Sequence, residues 1–160
     1  DHGDHDHDDD HGGFFGLNAL GFYAAVEVPR EGGIDIGEIA VGPIAELEFG
    51  PVETVANLFI EIPLENGEDP GLAYAFSAAV PIGDLGPVEL AAGFEAFGGV
   101  EGLFGDSTPL GENSHVIGPA IYTEFEAGEG QVIEPRLAIL LGLTDGAPDA
   151  ALSFNIEFKY

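Results

Sequence analysis

The sequence contains no cysteine. That absence excludes disulfides, a thiolate nucleophile and a Cys-ligated metal, and it is neutral about compartment. Basic residues are nearly missing: three Lys and Arg stand against thirty Asp and Glu, for a formal charge of −27. Such a chain cannot neutralise a phosphate backbone, so nucleic acid is excluded as a partner. The same charge attracts divalent cations, or keeps a protein hydrated in strong salt, and both readings stay open. Long apolar runs are also missing. Although 45% of the residues are apolar, no stretch approaches the roughly 18 to 20 residues that a membrane helix needs. Nor does a basic, apolar leader open the chain; a start at Asp1 suggests that an export signal has been removed. The length of 160 residues suits one domain.

Residues 1–13 contain only Asp, His and Gly, and offer nothing to bury. They read as a disordered, low-complexity His/Asp-rich tail ahead of a β-domain over 14–160. From Phe14 onward apolar residues recur at every second position, the period of a half-buried strand. Eight such stretches are separated by turn residues. In the last, Leu152, Phe154, Ile156, Phe158 and Tyr160 share one face, and Ser153, Asn155, Glu157 and Lys159 the other. Leu20, Phe22, Ala24 and Val26 begin the same pattern in the first, and the third breaks it once, where Phe59 falls on the polar side. Across the eight apolar faces Thr123 is the one polar residue, and no charge occurs. The connections alternate between tight ones (Phe49 to Pro51, Gly83 to Gly86, Ala127 to Gly130) and longer polar ones, as in an up-and-down barrel of an outer membrane. Val41-Gly42-Pro43 returns as Ile117-Gly118-Pro119, and Leu72 to Val80 aligns with Leu152 to Tyr160. This suggests two similar four-strand halves that close on one another and leave no free sheet edge.

Alternation alone does not say which face is outside, because a soluble barrel shows the same period with the faces exchanged. Three features favour lipid. The polar face is rich in Gly, Ala and Glu, which suits a narrow packed lumen; Phe49, Phe125, Phe158 and Tyr160 stand near strand ends, where an aromatic girdle would lie; and the chain stops on an aromatic residue that completes a strand. The segment from Ala151 to Tyr160 resembles the closing strand of bacterial outer-membrane β-barrel proteins. The preceding Gly142 to Asp149 is similar to the last loop of uncharacterised proteobacterial barrels with a His/Asp-rich N-terminal segment. The resemblance implies an eight-stranded antiparallel up-and-down transmembrane β-barrel in the bacterial outer membrane. An even strand count puts the tail on the side of the short turns, the periplasm.

Three constellations could carry chemistry. In the tail, His2, His5, His7 and His11 with Asp4 and Asp6 offer imidazole and carboxylate ligands suited to Zn, Cu or Ni, and the Asp1 amine with His2 could chelate Cu; the alternative is a solvated leader that binds nothing. Acidic loops could hold Ca or Mg. The glutamates of the polar face, from Glu27 and Glu46 to Glu95, Glu134 and Glu157, would repel one another inside a barrel. They imply either a cation-favouring lumen or a filled interior in which Arg136 and Lys159 pair with some of them, and the filled interior is the better expectation. His115, beside Ser114 and in the same loop as Ser107, makes a Ser-His-acid set conceivable, but no spacing places a nucleophile against a base. The expected function is therefore a non-enzymatic outer-membrane barrel with a structural, divalent-metal-binding or small-solute passage role, its partners being lipid and divalent cations. The rivals are a soluble secreted acidic β-barrel that binds a small apolar ligand, a lipid-modifying outer-membrane enzyme using His115, and a fibre subunit assembled by strand exchange.

Overall fold

The structure is a computed structural model that describes residues 15–27, 37–64, 69–103, 109, 111–128 and 130–160. The period-2 stretches fold as β1 (Phe15–Glu27), β2 (Glu38–Phe49), β3 (Val52–Pro63), β4 (Gly71–Leu85), β5 (Val88–Val100), β6 (His115–Gly128), β7 (Gln131–Gly142) and β8 (Ala150–Lys159). They form one eight-stranded sheet in chain order, each strand antiparallel to the next. The protein is thus all-β, as the alternation predicts. The expected closure is not seen: among the described residues no ladder joins β1 to β8, and the sheet is curled and open. Alternation fixes the face each residue takes, but whether the end strands meet depends on curl summed over seven ladders, about which it is silent.

The curl follows from what each face carries. On the concave side, Cβ atoms added to Gly42, Gly93 and Gly118 would come within 1.8–1.9 Å of the carbonyl oxygens of Leu58, Ala78 and Ile139 on the neighbouring strands. Backbones approach closely there because only hydrogen stands between them. Ala120 and Ala138 are buried on that same side, whereas Leu, Ile and Phe crowd the other, so the sheet bends toward its smaller side chains. Proline also sits inside central strands, where its missing N–H is normally excluded. The ladders accommodate it by skipping: β2–β3 passes from Val41↔Ile60 to Ile44↔Asn57 around Pro43, and β6–β7 from Ile117↔Leu141 to Ala120↔Ala138 around Pro119.

Short turns rely on left-handed glycines, Gly50 at φ 61° and Gly86 at φ 67°. One tight turn differs from expectation. β4 runs on to Leu85, so Gly83 lies in a bulge beside Pro81 and the turn itself is Gly86-Pro87. At the opposite rim two connections clamp each other. The Leu143 amide donates to the His115 carbonyl (2.8 Å), the Asp145 amide to the Gly111 carbonyl (3.0 Å), and the Thr144 hydroxyl to the Asn113 carbonyl (2.5 Å).

Candidate functional site

The first candidate is the convex face. A row of partners runs Leu20, Ala45, Ala56, Phe76, Ala96, Ile117, Leu141, Ala150 through every strand, and the parallel rows on this side are equally apolar. No Asp, Glu, Lys or Arg occupies an outward position of any described strand. The large side chains there are exposed: Phe22 at 72%, Leu152 at 71%, Phe154 at 64%. Its polar groups are few. The Thr123 hydroxyl donates to the Pro135 carbonyl (3.1 Å); Thr54 also faces outward and is buried.

Tyr74, His115 and Gln131 also take outward positions, and His115 differs from its expected loop setting. It is the first residue of β6, opposite Gly98 of β5, which in turn faces Tyr74 of β4. The Tyr74 hydroxyl and His115 Nδ1 are hydrogen-bonded at 3.1 Å, with the rings stacked at 5.8 Å. A Cβ on Gly98 would fall 2.3 Å from that nitrogen, so the glycine is the floor of the pair. Nε2 of His115 is buried without a hydrogen-bond partner, and Ser114 is exposed. No Ser-His pairing is formed among the described residues; Ser107 lies outside them.

The concave face is the second candidate. Charged residues sit here: Arg136 Nη2 meets Glu157 Oε2 at 3.1 Å and Lys159 meets Glu134, so each described cation pairs with a glutamate, as expected. Tyr23 and Phe59 pack at 4.8 Å between ring centroids, across the strand that carries Gly42. This contact explains Phe59, which breaks the polar side of β3, as Val55 on the same face also does. Deeper in, Glu95 is 3% exposed, flanked by Ser77 on β4 and Gly118 on β6. The Tyr122 hydroxyl meets the Ser77 side chain and lies within 3.3 Å of the Phe94 carbonyl. A cavity of about 60 Å³ is lined by Asn57, Ser77, Glu95 and Arg136 together with Val55, Ala75, Phe76 and Phe97. Asn57, Ser77 and Tyr122 were not singled out by sequence; their places on the polar face were legible, but their convergence required the register.

The tail ligands His2, His5, His7, His11, Asp4 and Asp6 lie outside the described residues. Among the described residues no three His, Asp or Glu side chains gather as a metal-holding group. Searches against family models, curated proteins and solved structures give no match to this chain.

Proposed function

We propose that the chain is a membrane-embedded β-barrel of the bacterial outer-membrane type, with its convex face against lipid and a structural or narrow-passage role. One observation carries this reading: the exposed face is apolar and free of formal charge across all eight strands, while the charged side chains of the strands occupy the other. A water-soluble barrel would reverse that assignment, because so large a continuous apolar surface in water promotes association. In a bilayer the same surface is the favoured one, and inward Gly, Ala and Glu are the lumen.

The register supports a barrel too. Straight rows that leave Leu20 arrive at Ala150, the first residue of β8, so the segment Gly21 to Glu27 runs past the end of β8. Eight strands tilted by about 35–45° close when the rows return with an offset of about 8 or 10 residues. The first offset brings Ala24 beside Phe154, the second Ala24 beside Ile156. Either is even, so outward residues meet outward residues and both strands overlap. In a chain without cysteine the test is direct: Ala24→Cys combined with Phe154→Cys or with Ile156→Cys should give one pair that cross-links within a single chain. Cross-links only between chains would break the barrel.

For the lipid assignment, the expected result is folding only in detergent or vesicles, with heat-modifiable migration on a gel. A monomer that stays soluble without detergent would end it. The tail adds a separable role, collecting Zn, Cu or Ni on the periplasmic side. Deleting residues 1–13 should abolish submillimolar binding of Zn²⁺ or Cu²⁺; an unchanged titration would remove that role.

A further inference from the structure

Buried in the concave face, Glu95 has a carboxylate oxygen, Oε2, with no hydrogen-bond partner, and Asn57 Oδ1 is also buried without one. Both residues line the same cavity of about 60 Å³, as does Ser77. An unpaired carboxylate removed from water is costly, by several kcal/mol in real proteins, so it needs a positive partner. The chain has almost none to give. Of the described cations, Arg136 is bonded to Glu157 and Lys159 to Glu134. Gly118, on the other side of Glu95, has no side chain to offer.

From this we propose that the cavity is a binding site for a monovalent cation of sodium or potassium size, held by Glu95, Asn57 and Ser77. The ligand chemistry selects the charge. All three donors are oxygens, which suits a hard cation, but only one is anionic, and Arg136 lines the same space. Calcium sites gather six to eight oxygens, and ligand charge sets their affinity; one carboxylate beside an arginine under-serves a divalent ion. The volume admits an ion with a water or two. The site lies on the concave face whatever medium meets the convex one, so its test and the lipid test fail separately.

The experiment is thermal unfolding of the full chain, in detergent or in whatever buffer keeps it folded, in NaCl or KCl against tetramethylammonium chloride at equal ionic strength. Equal ionic strength removes general screening of the −27 charge. At an ion concentration well above the dissociation constant, sodium or potassium should raise the midpoint by roughly 3 °C. Glu95→Gln should erase that difference, whereas Glu48→Gln, at an exposed position outside the cavity lining, should leave it. Asn57→Asp, which adds a second carboxylate, should make calcium stabilising and keeps the question answerable if Glu95→Gln does not fold. Equal midpoints in all three salts for the unaltered chain, a sodium effect that survives Glu95→Gln, or no calcium response in Asn57→Asp would each overturn the site.

Discussion

The convex and concave faces hang from one backbone and one alternation, yet they solve opposite problems. Outward positions carry bulky aliphatic and aromatic side chains: Phe154 and Leu137, register partners on β8 and β7, are both exposed. Inward positions are mostly small or polar, Phe59, Phe97, Val116 and Leu140 being among the exceptions, and there the backbones approach until only glycine fits, at Gly42, Gly93 and Gly118. Volume is thus placed where curvature spreads the side chains apart, and withheld where curvature crowds them. Charge follows the same division. The glutamates of the described strands take inward positions, where Arg136 and Lys159 pair with Glu157 and Glu134, and none takes an outward one.

This contrast can be broken most forcefully from the outside. Leu137→Arg places a charge in the middle of the convex face. If lipid covers that face, unfolding from vesicles should show a loss of about 2–4 kcal/mol, whereas a water-exposed position would change by about 0.5 kcal/mol or less. The inner face is probed next. Gly118→Ala drives a methyl into the Ile139 carbonyl and should cost about 1–3 kcal/mol in denaturant unfolding. Gly111→Ala, with nothing within 4 Å of the added Cβ, should stay near zero; equal effects at both glycines would refute the crowding argument. A smaller loss is expected at the rim. Tyr74→Phe removes the hydroxyl bonded to His115 and should lower stability by about 1 kcal/mol. It should also move the His115 imidazole signals in NMR, and unchanged signals would disconnect the two residues.

Much of this division was legible in the sequence, because side chains on a strand alternate strictly. Phe154 and Glu157 fall on opposite faces by counting alone, and Phe22, Ile60 and Leu137 could be placed beside them without any register. What the period could not reach was anything set by neighbours far along the chain. Glu95 looks like Glu89 or Glu134 in sequence. Its burial comes from lying between Ser77 and Gly118, on strands that bracket it. His115 looked like a loop residue because the stretch before it is polar and Gly-rich, while its place in the sheet is fixed across Gly98 by Tyr74. Gly83 read as a turn because Gly86 follows it closely; the bulge at Pro81 shifts the reversal onward. The tail ligands His2, His5, His7 and His11 remain a matter of composition, since they lie outside the described residues.

The strictly consecutive strand order has a kinetic consequence. Every ladder joins neighbours in the chain, so each new hairpin can zip onto the edge left by the previous one, and the entropy of bringing distant segments together arises in none of these steps. Assembly can therefore advance from either terminus as a growing ribbon whose leading edge is always one unpaired strand. Joining Gly21–Glu27 to the far terminus would come last, since it alone spans the whole chain.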